Sequence, residues 1–118
     1  EEVSPKTRIN KNRSLHNIFQ TADATFLEIS LPGYTKKDVE IKIEKDKLKV
    51  ISVNKIINKN PDAKYVSKGF EKVSFEDTFI IPEDIDIENI KAEMDAGVLA
   101  ITLPLKEELN INKVIKIK

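Results

Sequence analysis

Short segments in which apolar and polar residues alternate make up most of this chain. Over residues 26–31 and 98–103, every second residue is Leu or Ile. Successive side chains of a strand point to opposite faces, so each segment has one apolar face. The same reasoning predicts further strands at residues 15–21, 39–43, 48–53, 63–67, 70–81 and from 90 to a turn at 97.

Proline and glycine separate these segments. Pro32 with Gly33 follows one strand and Pro82 follows another, while residues 46–47 are a predicted turn. Gly97 can adopt the positive φ of a tight turn, and Pro104, which lacks an N–H, is predicted to end strand pairing. Regularly spaced short strands without a long helical period predict an all-β fold, an antiparallel sandwich.

Composition adds exclusions. The 118 residues carry 20 basic and 20 acidic side chains, so no net field favours nucleic acid or an anionic membrane. No apolar run is long enough to span a bilayer, and the lack of cysteine fits a reducing compartment. We therefore expect a cytoplasmic protein with neither nucleic acid nor a membrane as partner.

Residues for catalysis or metal binding are scarce. His16 is the only histidine and there is no cysteine, so neither a catalytic triad nor a zinc site can be assembled. The acidic residues Asp84, Asp86 and Glu88 lack the loop pattern of a calcium site and predict a solvated loop. Three glycines leave no phosphate-binding loop. We expect no catalytic residue, no cofactor and no metal.

Four segments, in this order, resemble signatures of the alpha-crystallin domain of small heat-shock proteins, most closely of bacterial type. They are Leu-Pro-Gly-Tyr-Thr-Lys-Lys-Asp-Val at 31–39, Phe-x-x-x-Phe-x-Ile-Pro at 75–82, the Gly-Val-Leu strand within 92–104, and Ile-x-Ile at 115–117. The resemblance implies an immunoglobulin-like sandwich of about seven strands. It divides the chain into a short polar N-terminal arm (1–13), the domain (14–104) and a flexible C-terminal extension (105–118).

The resemblance also implies a function. Such a protein is an ATP-independent chaperone of the stress response, a holdase that binds non-native client proteins and prevents their aggregation. It is not an enzyme, and it associates with itself as a dimer and a larger homo-oligomer. The alternative is a co-chaperone sandwich domain that docks on an ATP-driven chaperone.

The sharpest predicted site is the tail. In an extended peptide Ile115 and Ile117 point the same way, which suits insertion into adjacent pockets at a sheet edge. A frayed terminus or a last strand of the domain are the other interpretations. By the family's arrangement, the receiving groove lies between two strands and is formed by Val39, Ile41, Ile43, Ile90, Ala92 and Met94. Alternation alone leaves open whether these six line a groove or belong to the core.

The resemblance implies a dimer interface as well. Residues 54–69 are the least regular part of the sequence, and we call them the irregular loop. In bacterial-type relatives a strand of this loop pairs with the first strand of the partner, which here places Tyr65 and Val66 against Leu15 and Ile18. Asp77 stands where the family usually has an interface arginine, so we expect Asp77 at that interface. Its predicted charge partner is Lys68, Lys72 or a lysine of the second subunit.

Overall fold

The computed structural model describes residues 14–53, 60–107 and 114–118. These ranges contain β-strands and two short 3-10 turns, Lys36–Asp38 and Ile87–Asn89, and no α-helix. The strands are β1 His16–Gln20, β2 Ala24–Ser30, β3 Val39–Glu44, β4 Lys47–Ser52, β5 Glu76–Ile80, β6 Lys91–Asp95 and β7 Val98–Pro104. The all-β prediction is confirmed.

The strands form two antiparallel sheets. One sheet has the order β1-β2-β7-β6 and the other the order β3-β4-β5. Consequently β1 and β6 are the edges of the first sheet, and β3 and β5 are the edges of the second. These four edges determine where another chain can pair or dock.

The core lies between the two sheets and is almost wholly aliphatic. Alternate residues of β2, β4 and β7 supply most of it, because only one face of each strand is covered. Its buried members are Leu27, Ile29, Leu31, Tyr34, Leu48, Val50, Phe75, Ile81, Ile85, Leu99, Ile101 and Leu103.

Tight turns join the hairpins. Between β6 and β7, Ala96 and Gly97 both have positive φ, 52° and 78°, as a two-residue turn matching the strand twist requires. Between β3 and β4 the turn lies at Lys45 and Asp46, with Lys45 at φ 58°. The prediction of residues 46–47 was therefore wrong by one residue, since Lys47 already begins β4.

Two segments predicted as strands differ in the single chain. Residues 63–67 form no strand there, and the predicted 70–81 strand is shortened to Glu76–Ile80, with one further backbone hydrogen bond at Phe75 and one at Ile81. Side chains bond the backbone just before β5. The Tyr34 hydroxyl bonds both backbone groups of Val73, while Ser52 Oγ accepts from the Phe75 N–H at 2.8 Å.

β7 ends at Pro104, as predicted, but the next residue still forms a bridge. Pro104 belongs to β7, opposite Ala24, and Leu105 makes an isolated bridge with Ile85. The Pro104 carbonyl accepts from the Asp86 N–H at 2.8 Å. Proline lacks a donor but keeps its acceptor, so pairing continues one residue further than expected.

Candidate protein-binding surfaces

An open groove runs along one flank of the sandwich, between the edge strands β3 and β6. Its cavity has a volume of about 200 Å³. The lining residues are Lys36, Val39, Ile41, Ala92, Glu93, Met94 and Leu99. We call this cavity the groove and this side of the sandwich the groove flank.

Alternation on the two edges produces the apolar lining. Val39 and Ile41 share one face of β3, and Ala92 and Met94 share one face of β6. Met94 lies opposite Leu99 in the β6–β7 hairpin, which brings Leu99 to the groove floor. Because neither edge has a further strand beside it among the described residues, these side chains are only partly covered.

The structure brings together four of the six predicted groove residues. Ile43 lies near the end of β3 and is exposed, and Ile90 precedes β6 and packs against the core. Lys36 and Glu93, which the sequence interpretation missed, also line the groove and carry opposite charges. The cross-strand partner of Met94 was a usable signal for Leu99, whereas nothing in the alternation indicated Lys36.

The tail carries its two isoleucines into solvent. Ile115 is 84% exposed and Ile117 is 97% exposed, and residues 114–118 form no strand. The tail is therefore not a last strand of the described domain. Two large aliphatic side chains in an exposed segment are available to another surface.

The opposite flank joins the edges β1 and β5, and we call it the β1 flank. The His16 ring meets the Phe79 ring edge-on, with 5.2 Å between centroids, so this pair bridges the two sheets. Every residue of β1 is exposed, and Leu15 and Ile18 are large apolar side chains in solvent. The predicted first strand is confirmed to within one residue at each end, and its outer edge has no partner strand in the described chain.

The irregular loop also points apolar groups outward. Tyr65 is 71% exposed and Val66 is fully exposed. Lys68 places its ammonium 4.7 Å from the centre of the Tyr65 ring. The hydrogen bond that Lys68 donates to Glu71 raises the pKa of Lys68.

Asp77 occupies an interior position. It faces inward on β5, opposite Val50, and is fully buried within a single chain. The two lysines predicted as its partners form ion pairs elsewhere, Lys68 with Glu71 and Lys72 with Asp38. The Asp77 side chain thus lies between the sheets and not on the surface of the subunit.

The outer face of the three-stranded sheet carries a network of ion pairs. Lys49 lies 2.9 Å from Glu44 and 3.7 Å from Glu76, joining all three strands across that face. The hydrogen bond from Lys49 lowers the pKa of Glu44, and the same bond raises the pKa of Lys49. The same face also exposes Ile80, so the ion pairs lie beside an apolar side chain.

The described ranges hold no cluster of three or more side chains suited to a metal. In the acidic loop, the Asn89 amide donates to Asp86 at 2.6 Å. Nor does the described part of the chain include a helix long and apolar enough to cross a membrane.

The sequence is similar to families and proteins of known type. The Hsp20/alpha crystallin family matches residues 17–118. Small heat shock protein C4 of Rickettsia felis is 28% identical over 112 residues, which are 95% of this chain and 63% of that protein. A probable 15 kDa heat shock protein of Leptospira interrogans is 31% identical over 108 residues, covering 92% of this chain and 82% of that protein.

Solved structures of small heat-shock proteins have a similar fold. A small heat-shock protein from Xylella fastidiosa aligns with a TM-score of 0.71 at 22% identity, over 89% of this chain and 94% of that one. Heat shock protein 16.0 from Schizosaccharomyces pombe aligns with a TM-score of 0.67 at 27% identity, over 89% of this chain and 75% of that one. The chain spans less than two thirds of the Rickettsia protein. It belongs to the Hsp20/alpha crystallin family, the small heat-shock proteins.

Proposed function

We propose that this protein is an ATP-independent holdase that binds non-native proteins and keeps them from aggregating. One observation carries the proposal: the chain has an open apolar groove between two sheet edges together with an exposed Ile-x-Ile tail. Such surfaces can bind extended apolar segments reversibly, and membership of a chaperone family supports this use. Nothing in the binding requires nucleotide or a catalytic residue.

The tail is the proposed occupant of a neighbouring subunit's groove. Burial of two isoleucines offers about 3–6 kcal/mol before the cost of ordering the tail. Lys116 lies between them, and Glu93 at the groove supplies a carboxylate of opposite charge. One such contact is weak, but several in an assembly reinforce each other through effective concentration. A groove that exchanges tails can also accept an unfolding client.

The β1 flank is the proposed dimer interface. We infer that residues 63–67 of one subunit pair with the free edge of β1 in the other, which covers Leu15 and Ile18. The exposure of Tyr65 and Val66 and the absence of a neighbouring strand for them in the described chain support this exchange. Asp77 could act on such an interface only through β5, because its own side chain is buried.

The direct test is suppression of aggregation. A heated model client is mixed with this protein without nucleotide, and light scattering is followed. Suppression supports the holdase, whereas no suppression together with binding to an ATP-driven chaperone favours the co-chaperone alternative. We place this activity in the cytoplasm, because a cysteine-free chain fits a reducing compartment.

A further inference from the structure

The Leu-Pro-Gly-Tyr segment holds the end of the irregular loop. The Tyr34 hydroxyl donates to the Val73 carbonyl and accepts from the Val73 N–H, the latter at 2.7 Å. The Tyr34 ring is buried and meets the Phe75 ring edge-on, with 5.3 Å between centroids. One side chain thus satisfies both backbone groups of a residue 39 positions away.

The neighbouring residue Lys72 is held by the same segment. Its ammonium lies 5.2 Å from the centre of the Tyr34 ring and 3.4 Å from Asp38 Oδ2. The Lys72 aliphatic chain passes over Gly33, where an added Cβ would lie 3.8 Å from Lys72 Cδ. Asp38 Oδ2 also accepts from the Thr35 N–H at 2.8 Å, which fixes the carboxylate.

These contacts mark where the loop leaves the sandwich. Residues 60–72 are all exposed, whereas Val73 and Phe75 are covered. Val73 precedes β5 and is bonded by a side chain instead of a strand, so the loop has a fixed point at its base. We name the contacts of Gly33, Tyr34 and Asp38 with Lys72 and Val73 the Tyr34 clamp.

We propose that Tyr34 is a positioning residue for dimer assembly: the Tyr34 clamp fixes the direction in which the loop departs and so presents Tyr65 and Val66 to a second copy of this chain. A segment that is held at its base loses less conformational freedom when it binds. This inference rests on the loop exchange proposed above. It gives the 31–39 signature a role in assembly beyond the turn that follows β2.

The test compares Tyr34→Phe with Ile101→Val. Tyr34→Phe keeps the ring contact with Phe75 and removes the hydroxyl, whereas Ile101→Val weakens the core at a position with no loop contact described. Two quantities are measured: amide hydrogen exchange at Val73 and the dimer dissociation constant from sedimentation at several concentrations. Thermal unfolding shows whether the two variants are equally destabilised.

In Tyr34→Phe, exchange at Val73 should become about five- to tenfold faster and the dimer dissociation constant should rise about fivefold. Ile101→Val should change neither. Equal shifts of the dissociation constant in both variants would overturn the clamp, since they would reflect stability alone. If Tyr34→Phe does not fold, Lys72→Met serves instead, and it should move both quantities the same way by a smaller factor; no movement overturns the clamp.

The clamp and the loop exchange fail differently. If the dimer survives deletion of residues 63–67, the loop exchange is contradicted, and so is the proposed role of Tyr34. If the deletion abolishes the dimer but Tyr34→Phe leaves the dimer dissociation constant unchanged, only the role of the Tyr34 clamp is contradicted.

Discussion

The two flanks of the sandwich are built from the same kind of edge but present different surfaces. On the groove flank, β3 and β6 leave about 200 Å³ of apolar space between them. On the β1 flank, the rings of His16 and Phe79 meet and bridge the sheets, while the outer edge of β1 has no partner strand among the described residues. The first flank therefore suits side chains of an incoming peptide, and the second suits an incoming strand.

This difference shows how one small domain can make two kinds of contact. A side-chain pocket holds a short peptide loosely, because it offers only a few apolar contacts and no row of main-chain hydrogen bonds. Strand pairing adds main-chain hydrogen bonds along the edge, and it covers an edge that otherwise favours aggregation. We expect the β1 flank to hold the more durable contact and the groove flank the more reversible one.

The strongest test removes the strand proposed for the β1 flank. Deletion of residues 63–67 should give a folded monomer, because the deletion takes away Tyr65 and Val66 while leaving every described strand intact. Sedimentation gives the mass, and far-UV circular dichroism checks the fold. Replacement of the same five residues by a Gly–Ser stretch keeps the loop length and should have the same effect. An undiminished dimer in both variants would contradict strand exchange.

The next test removes the tail side chains that are proposed to occupy the groove. The double change Ile115→Ala and Ile117→Ala should leave the sandwich as stable as before, since both side chains are exposed. The mass should shift toward dimers, because the proposed anchors are lost. The matched control changes Val114 and Lys118 to alanine in the same tail, because neither has a proposed role in docking. If the size distribution is the same for the wild type, the anchor variant and the control, the tail does not hold subunits together.

A smaller effect is expected at the turn beside the groove. Ala96 has φ 52°, in the left-handed region, where any residue with a Cβ is strained. Asparagine adopts this region more readily than alanine does. Ala96→Asn should raise the free energy of unfolding by about 0.5–1 kcal/mol without changing assembly. Urea unfolding checks the change, with Ala22→Asn as a control in a turn that lacks a positive φ. A gain of equal size at both sites would mean that the strain at Ala96 is not its source.

The smallest effect concerns the sheet that links the two flanks. Lys49 lowers the pKa of Glu44 below its ordinary 4.5, so the stabilisation is present above that pH and is lost as the pH falls through the lowered value. Glu44→Gln should therefore flatten the decline in stability below pH 4.5. The urea midpoint is compared on either side of that pH, with Glu40→Gln as a matched change on the same strand. Identical acid profiles of the wild type and Glu44→Gln would show that this ion pair does not contribute.

The sequence predicts those strands whose burial follows a simple alternation of residues along the strand itself. Alternation in Leu27 and Ile29 located β2, since one face of that strand meets the core, although the predicted segment 26–31 begins two residues late and ends one residue late. The segment before β5 was not predictable in this way. Its backbone groups are bonded by Tyr34 and Ser52, which lie 39 and 23 positions away, and no local pattern records such contacts.

The extent of the groove could not be predicted from local alternation either. Val39 and Met94 were placed at the groove from the resemblance, but Ile43 has the same pattern and lies outside it. Where a groove ends depends on how the two sheets are offset, and alternation within a strand does not specify that offset. The burial of Asp77 likewise depends on the opposite sheet covering β5.

The groove flank and the β1 flank lie on opposite sides of the sandwich, and this arrangement determines how many neighbours one subunit can contact. If one flank pairs subunits, each pair retains two grooves and two tails, which makes it a building block with four linking points. Four-point units can close into shells or extend into networks, and the balance depends on concentration as in step-growth polymerisation. The distribution of particle sizes would then reflect this valence, with no need for a separate device that counts subunits.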